Sequence, residues 1–384
     1  MSIDETPAFT VAAVHAAPVF MDRDATIDKM GGLVARASRS GADLAVFPES
    51  FIPGFPLWTL VHAPIDQHAM FRRLYQQAMP VPGPEATRIA ALARRHGLHV
   101  SVGITERSPV SMGGLYNTNL LFDPDGRLVH IHRKLVPTWA EKLVWARGDG
   151  SSLRPTTTSI GRLGVLICGE NTNPLARYAL LAQGEQLHIS TYPPAWPFRR
   201  GASPDTYQRW IELRAAAHSF EGKVFNVVAA AHLDEAAIVQ SAAGDPRAEE
   251  TLRGAGRAAS MIIGPGGVVV AGPHPGEEDL VVAPVDVADS IEEKLAHDVV
   301  GYYQRPDLLQ LRVDQRPQPP VSLLNEVGSG SAPWETPGAD PTASDAFSAG
   351  VPLAGMWAAD GPQGFAAPGE GRVGDGGRGK VTDQ

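Results

Sequence analysis

The sequence predicts an α/β protein with four layers, α-β-β-α, in which two mixed sheets pack together and helices cover both outer surfaces. Three observations predict this fold. Short, apolar, β-rich segments alternate with helical segments, which is typical of parallel strands joined by helices. Other apolar segments are joined by Gly- and Asp-containing turns, which is typical of hairpins. The hairpin pattern of the first half recurs in the second half, so two similar sheets are expected.

The elements of the first half follow from local signals. Segment 9–17 is a short apolar strand that Pro18 ends, and Gly97 is a stop signal for the helix before it. The tetrapeptide Asp123-Pro124-Asp125-Gly126 has the chemistry of a hairpin turn. In chain order we predict the strand 9–17, a helix around 24–40, the strand 43–47, a helix over 85–96, and the strands 98–105, 117–122 and 127–132.

The second half repeats the arrangement up to residue 271. The turn Gly264-Pro265-Gly266-Gly267 lacks the Lys and Ser/Thr of a phosphate loop and is interpreted as a second hairpin turn. In chain order we predict a strand that ends at Cys168, a helix near 174–183, the strand 187–190, a helix over 205–221, and the strands 224–230, 258–263 and 268–271.

The composition changes after about Pro317. The remaining residues are rich in Gly, Pro, Ala, Ser and Asp and show little periodicity, so they offer too little apolar surface to offset the entropy of ordering. We therefore predict one domain over residues 8–315 and a low-complexity, disordered tail over residues 316–384.

Composition also excludes several classes of protein. The 384 residues are 43% hydrophobic and 20% charged, with a net charge of −9 and no long basic block, so neither nucleic acid nor an anionic membrane is an expected partner. No apolar run approaches the roughly 20 residues that span a bilayer, and the segment 1–9 lacks the features of a secretory signal, so a cytoplasmic protein is expected. The single cysteine, Cys168, excludes an intramolecular disulfide and a thiol-rich metal site.

Cys168 is a candidate nucleophile because of where it lies. An apolar strand runs directly into Cys168 and Gly169, and Asn173 and Pro174 then mark the start of a helix. A thiol near a helix N-terminus is expected to favour the thiolate form. A small, buried, unreactive side chain is the alternative for an isolated cysteine.

A thiol nucleophile needs a general base and a cation, and two candidates end strands of the first sheet. Glu49 follows the strand 43–47, and Lys134 follows the strand 127–132. Ligands bind at the carboxyl ends of strands in layered α/β proteins, so the three side chains can converge there. Either charge alone would be interpreted as a solvated loop residue.

These residues resemble the signatures of the nitrilase, or carbon–nitrogen hydrolase, superfamily. The signatures stand here in the family's order as Phe47-Pro48-Glu49, Arg133-Lys134-Leu135 and Cys168-Gly169-Glu170-Asn171. Similarity to the true nitrilase branch extends over roughly residues 8–312 and includes the flanking segments 49–56, 134–151, 173–177, 191–194 and 301–307.

The resemblance implies a four-layer sandwich of the nitrilase type and a hydrolase acting on carbon–nitrogen bonds other than peptide bonds. It implies that Cys168 is the nucleophile, Glu49 the general base, Lys134 the cationic stabiliser, and Glu141 a second carboxylate that supports the lysine. The implied reaction converts an organic nitrile to a carboxylic acid and ammonia through a thioimidate and a thioester, with no metal or organic cofactor. Homo-oligomers, from dimers to spiral assemblies, are also implied.

One position departs from the family pattern. Nitrilases usually have Trp after the nucleophile, and this chain has Gly169. The backbone N–H of Gly169 remains an oxyanion donor, so the departure bears on the shape of the pocket. The aromatic residues near the motif loops are predicted to line this pocket or to pack in the core: Trp58, Trp139, Tyr192 and Trp196.

Other functions stay open at this point. His130 and His132 could suggest a metal site, but further ligands at a recognisable spacing are absent, so a packed or solvated strand face is expected. An amidase of the same superfamily would use the same thiol, base and lysine, and a cyanide-degrading relative would have a smaller pocket. A non-catalytic assembly protein is expected to lack at least one of these side chains.

Overall fold

Two six-stranded mixed sheets form the centre of the computed structural model, which describes residues 6–197, 201, 203–301 and 303–319. The first sheet contains, in spatial order, β14 (Asp279–Asp286), β1 (Ala8–His15), β2 (Leu44–Val46), β3 (His99–Arg107), β4 (Leu115–Phe122) and β5 (Leu128–Arg133). The second sheet contains, in spatial order, β6 (Thr156–Thr158), β7 (Gly161–Ile167), β8 (Leu187–Tyr192), β10 (Phe225–Ala230), β12 (Ser260–Ile263) and β13 (Val269–His274). A short ribbon joins β9 (Ala195–Trp196) to β11 (Gly256–Arg257).

The two sheets share one pattern of strand pairing. In the orders given above, each sheet has an antiparallel pair, two parallel pairs and then two antiparallel pairs. The final antiparallel pairs are the two predicted hairpins. In the first, the Asp123 side chain accepts hydrogen bonds from the backbone N–H groups of Asp125 and Arg127. The recurrence expected from the sequence is therefore confirmed.

The side chains of β1 show why the sheets are buried on both faces. Val11 and Ala13 pack between the two sheets, whereas Ala12 and Val14 pack toward the helices on the outer face. A strand with a period of two and apolar residues on both faces must be covered on both sides. This requirement produces the four layers.

Helices cover both outer faces. The helix α1 (Arg23–Arg39) starts after the capping side chain of Asp22 and buries residues at helical spacing, among them Met30, Leu33 and Ala37. The other helices of the described chain are α2 (His68–Gln77), α3 (Pro84–His96), α4 (Pro174–Leu181), α5 (Thr206–Gly222), α6 (Glu235–Ala242), α7 (Pro246–Arg253) and α8 (Asp289–Ala296). The predicted four-layer α/β fold is confirmed.

Several elements were not predicted from the sequence. They are the helices α2, α6, α7 and α8 and the strands β6, β9, β11 and β14. The edge strand β14 contains Pro284, which argues against a central strand but is tolerated at an edge. It pairs with β1 from the other end of the chain, and such a pairing leaves no local signal.

The predicted tail, residues 316–384, lies outside the described residues after Pro319. Before that point, the backbone N–H of Gln318 donates to the Asp149 carboxylate at 2.9 Å, so the described chain contacts the domain up to its end. None of the helices in the described ranges is long and apolar enough to cross a bilayer.

Candidate active site

Cys168 directly follows β7, and its backbone is unusual. Its φ is +50°, in the left-handed region that residues with a side chain rarely adopt. The 3-10 turn Cys168–Thr172 leads to α4, where Asn173 is the N-cap and Pro174 the first residue. The predicted order of strand, cysteine turn and capped helix is therefore confirmed. A strained backbone at such a turn persists only when surrounding contacts hold it.

Two side chains of the turn hold this conformation. The Glu170 carboxylate accepts hydrogen bonds from the backbone N–H of Ile167 at 2.7 Å and of Leu135 at 2.6 Å. The Asn171 side-chain amide donates to the carbonyl oxygen of Cys168 at 3.1 Å. Glu170 thus ties the cysteine turn to the residue after Lys134, and the two motifs form one unit.

Asn171 is held by a buried cluster behind the turn. His188 Nε2 lies 2.9 Å from the Asn171 carbonyl oxygen, and His188 Nδ1 lies 2.6 Å from a carboxylate oxygen of Glu185, both at hydrogen-bond distance. His218 donates to the other oxygen of Glu185 at 2.8 Å. Burial raises the pKa of Glu185, but the larger combined effect of His188 and His218 lowers this pKa to about 2. The buried Glu185 carboxylate therefore holds the cysteine turn in place through His188 and Asn171.

Glu49 lies beyond the end of β2, and its backbone packs on Gly103 of β3. A Cβ atom on Gly103 would lie 2.3 Å from the carbonyl oxygen of Pro48 and 2.8 Å from the Cα of Glu49. Only glycine allows the two segments to approach this closely. The Asn117 side chain on β4 donates to Glu49 Oε1 at 2.6 Å and fixes the carboxylate.

Lys134 joins the two glutamates. Its Nζ donates to Glu49 Oε1 at 2.8 Å and to Glu141 Oε2 at 2.7 Å, and all three side chains are fully buried. Glu141 Oε2 also accepts from the backbone N–H of Thr138 at 2.8 Å, which fixes it within its own turn. An ammonium between two carboxylates in a fully buried site is held in one position.

The thiol completes the cluster. The Cys168 sulfur and one carboxylate oxygen of each of Glu49 and Glu141 lie within 4.8 Å of one another. Within the described residues, Glu49 Oε2 and Glu141 Oε1 are buried and have no hydrogen-bond partner. Buried polar atoms without partners are rare, and these two belong to the carboxylates that lie beside the Cys168 sulfur. The structure thus brings together the four side chains that the sequence analysis selected.

Burial and the neighbouring charges shift the pKa of each group. Burial raises the pKa of Glu49, Lys134 opposes this, and Glu141 adds to it, so the pKa reaches about 7. The pKa of Glu141 is also raised, mainly by burial. Burial lowers the pKa of Lys134, but Glu141 and Glu49 raise it well above its usual value, so the ammonium persists. Near neutral pH, Glu49 therefore exchanges a proton and Lys134 does not.

The sequence led us to expect that Cys168 favours the thiolate form, and the structure corrects this expectation. Burial and the negative charge of Glu49 raise the pKa of Cys168 to about 12, and Lys134 lowers it only in part. The resting side chain is a neutral thiol, because the loss of hydration outweighs the field of the helix N-terminus that the sequence suggested. A thiol that acts as a nucleophile here would need a base to remove its proton, and the Glu49 and Glu141 carboxylates lie close to the sulfur.

Gly169 is matched to Thr138. A Cβ atom on Gly169 would lie 2.6 Å from the hydroxyl oxygen of Thr138 and so could not be accommodated without movement. Thr138 therefore occupies space that a side chain at position 169 would need. This contact gives a physical reason for glycine at position 169, where the family resemblance led us to expect Trp.

Aromatic side chains surround Cys168. Trp58, Tyr192 and Trp196 belong to the same apolar cluster as Cys168, and the hydroxyl of Tyr207 lies 3.7 Å from the sulfur. Trp139 is 60% exposed, and its ring centroid lies 6.5 Å from that of Trp196. Three of the four aromatic residues selected from the sequence therefore lie deep in the cluster, and the fourth lies at the surface.

Several residues of the site were not predicted from the sequence. Asn117 could have been noticed as a polar residue in an otherwise apolar strand, but nothing local indicates its partner. Tyr207 and Arg214 lie on α5, far along the chain from the motifs, and their seven-residue spacing is the only signal that they share a helix face. Their proximity to Cys168 follows from tertiary packing alone.

Two sets of residues in the described chain could bind a metal by type and distance. One is Glu49, Glu141 and Cys168, and the other is Glu185, His188 and His218. In the first set the Lys134 ammonium already lies between the carboxylates. In the second set the carboxylate oxygens already accept from the two imidazoles. The pair His130 and His132 bonds instead to Thr156, Ser152 and Glu170.

The site consists of a buried cysteine, a lysine and two glutamates at one edge of a four-layer α-β-β-α sandwich. Comparison with known proteins identifies the class of protein that this site and fold define. The sequence profile described as Carbon-nitrogen hydrolase matches residues 10–294. The structure of Saccharomyces cerevisiae Nit3, a member of branch 10 of the nitrilase superfamily, has a TM-score of 0.61 with 20% identity. The match covers 79% of this chain and 99% of that one.

Two relatives indicate the branch of the family to which the chain belongs. A nitrilase from Paraburkholderia phymatum is 38% identical over 329 residues, which are 86% of this chain and 92% of the relative. An aliphatic nitrilase from Rhodococcus rhodochrous is 35% identical over 325 residues, which are 83% of this chain and 86% of the relative. The chain belongs to the carbon–nitrogen hydrolase family, on its nitrilase branch, and is a hydrolase that acts on carbon–nitrogen bonds.

Proposed function

We propose that this protein is a nitrilase that converts an organic nitrile to the carboxylic acid and ammonia through covalent intermediates on Cys168. One observation carries the proposal. The Lys134 ammonium lies between Glu49 and Glu141, and the sulfur and the two carboxylates lie within 4.8 Å of one another. The nitrilase relatives support nitriles as the substrate class.

In the first proposed step, Glu49 accepts the thiol proton while the sulfur attacks the nitrile carbon. The carbon–sulfur bond forms, one C–N π bond breaks, and the proton passes to nitrogen to give a thioimidate. Charge that develops on nitrogen is stabilised by the Lys134 ammonium and the Gly169 N–H. A pKa of about 7 suits Glu49 to both accept and return a proton near neutrality.

In the second stage, water adds to the thioimidate carbon to form a tetrahedral intermediate. Protonation of nitrogen and cleavage of the C–N bond release ammonia and leave a thioester. A second water, deprotonated by Glu49, attacks the thioester, and the acid and the thiol are released. If the tetrahedral intermediate loses the thiol instead of ammonia, the product is the amide.

The test compares ammonia release from a nitrile and from the amide of the same carbon chain. We expect turnover of the nitrile to exceed turnover of the amide. Turnover of the amide alone would instead assign the protein as an amidase, and turnover confined to cyanide would assign a cyanide-degrading enzyme. Product analysis by chromatography gives the ratio of acid to amide in the same experiment.

Replacement of the nucleophile provides a second test. We expect Cys168→Ala to lower kcat by roughly four orders of magnitude or more, because the covalent route is lost. Circular dichroism should show an unchanged fold, since the smaller side chain removes one sulfur from the pocket. Mass spectrometry of the wild-type protein with substrate should show the acyl adduct on the peptide that contains Cys168. Retention of full activity by Cys168→Ala would remove this residue as the nucleophile.

We also propose that the protein self-associates into dimers or larger spiral assemblies, as the family resemblance implies. Analytical ultracentrifugation at several concentrations would measure the assembly. A monomer at all concentrations, with full activity, would contradict this proposal.

A further inference from the structure

Arg214 is a second cation beside the nucleophile, and the proposed reaction does not use it. It is half-buried on α5, seven residues after Tyr207, so both side chains project from one face of the helix. That face packs against the cysteine turn, and the Tyr207 hydroxyl contacts the sulfur at 3.7 Å. Arg214 is therefore directed toward the pocket that holds Cys168.

Arg214 has no carboxylate partner in the described part of the chain. Some of the other buried or half-buried arginines pair with a carboxylate, for example Arg133 with Glu106 and Arg177 with Glu221. Arg214 forms no ion pair of this kind with any described residue. The groups on which its charge acts are Tyr192, Cys168 and Tyr207, which all belong to the pocket.

The Tyr192 hydroxyl provides a second unused donor. Tyr192 is fully buried at the end of β8, in the apolar cluster of Cys168. The guanidinium of Arg214 is a near neighbour, yet the hydroxyl has no hydrogen bond of normal geometry with the described residues. A buried phenol usually has a partner, so an unpartnered one in a substrate pocket indicates a position for a ligand acceptor.

We propose that Arg214 and the Tyr192 hydroxyl bind a carboxylate on the substrate, so that the preferred nitriles carry an anionic carboxylate. This inference rests on the proposed nitrile hydrolysis and specifies its substrate class. A guanidinium presents parallel N–H donors that match the two oxygens of a carboxylate, and the phenol adds a third donor. The apolar walls around the pocket strengthen this attraction, because they exclude water.

An alternative role for Arg214 is to stabilise charge on Cys168 without contacting substrate. The guanidinium lowers the pKa of Cys168, although burial and Glu49 raise it to about 12. The two roles differ in their consequences. A stabiliser of the thiolate would affect every substrate equally through kcat, whereas a carboxylate-binding residue would affect the charged substrate selectively through KM.

The test uses the full-length protein and linear cyanoalkanoates with one to four methylene groups between the nitrile and the carboxylate. The methyl ester of each compound is the neutral partner. For at least one chain length, we expect the wild-type kcat/KM to be about tenfold or more higher for the acid than for the ester, as a charged hydrogen bond would give.

Variants of Arg214 test whether the charge or the shape of this side chain produces the preference for the acid over the ester. Arg214→Met should lower the ratio of kcat/KM for acid to that for ester by about tenfold or more, chiefly through KM, and Arg214→Lys should lose less because it keeps the charge. Tyr192→Phe should lower the same ratio by a smaller factor. Arg209→Met, at an exposed position of the same helix, is the control and should leave the ratio unchanged.

Each outcome has a distinct meaning. Equal use of acid and ester by the wild type would overturn the carboxylate site while leaving nitrile hydrolysis intact. An equal loss of kcat on both substrates in Arg214→Met, with a shifted pH profile, would assign Arg214 to the thiol instead. If only amides are hydrolysed, the corresponding carbamoylalkanoates and their esters replace the nitriles in the same comparison. Turnover of neither nitriles nor amides would remove both proposals.

Discussion

Glu49 has two properties that its proposed role as a reversible proton carrier needs. One oxygen is fixed by Lys134 and Asn117, and the other is buried without a partner among the residues that the structure describes. The pKa of about 7 arises because burial disfavours the carboxylate more strongly than the ammonium favours it. At the same time the thiol remains protonated, so in the proposed mechanism Glu49 and Cys168 exchange one proton between them. Because the groups are coupled, the pKa seen in kinetics belongs to the cluster.

This arrangement predicts the pH dependence of the reaction. The base must be deprotonated to act, so kcat/KM should be lost as the pH falls through about 7 and should reach a plateau above it. The rate should not rise again toward pH 9, because the thiol does not ionise in that range. Initial rates measured from pH 5 to 9 on a non-ionising nitrile test this expectation. A rate that increases steadily up to pH 9 would point to a free thiolate.

Gly169 and Thr138 form a matched pair, which a double-mutant cycle can measure. Gly169→Ala should lower kcat by about tenfold to a hundredfold, because its Cβ would contact the Thr138 hydroxyl at 2.6 Å and displace the turn. In Gly169→Ala with Thr138→Ala the contact is absent, so the double variant should be more active than the product of the single effects. Independent, multiplicative losses would show that the two positions are not coupled.

At the scale of elements, the site depends on how closely the loop after β2 approaches β3. Gly103 is central in that approach, because backbone atoms of the Glu49 loop fill the space where its Cβ would be. Glu49 is thus positioned by a neighbouring strand as well as by its own loop. The parallel pairing of β2 with β3 fixes the register of this contact.

A side chain at position 103 should therefore reduce both stability and activity. Gly103→Ala is expected to lower the free energy of unfolding by about 1–3 kcal/mol and to lower kcat, because the backbone of Glu49 must move. Gly32→Ala on α1 is the matched control, since no atom lies within 4 Å of its Cβ position. The control should stabilise the helix by up to about 1 kcal/mol. Urea denaturation and kinetics on both variants provide the comparison, and equal behaviour would contradict the expectation.

At the scale of the whole molecule, the site is shared by the two sheets. Glu49 and Lys134 follow strands of the first sheet, β2 and β5, and Cys168 follows β7 of the second. Apolar packing between the sheets therefore determines the separation of Glu49 and Cys168. Neither half of the repeated architecture contains a complete site.

The C-terminal boundary can be tested by truncation. Leu311 and Val313 pack against a small apolar cluster behind the cysteine turn, and Gln315 donates to the carbonyl oxygen of Leu153. Deletion of residues 320–384 should leave Tm within about 2 °C, because the composition of that segment gives it little apolar surface to bury. Deletion from residue 310 should lower Tm by more, since it removes these contacts. Equal effects of the two deletions in differential scanning calorimetry would place the boundary elsewhere.

The sequence by itself determined the main strands, both hairpins and the capped turn after Cys168, because local periodicity and turn chemistry act within a few residues. Glu141 was added to Glu49, Lys134 and Cys168 by the family resemblance. The tertiary structure alone decided that the thiol is protonated and that Glu49 titrates near neutrality. It also decided that Thr138 occupies the space beside Gly169 and that Arg214 is directed toward Cys168. Burial and electrostatic fields are sums over residues distant in the chain, so no local pattern of residues records them.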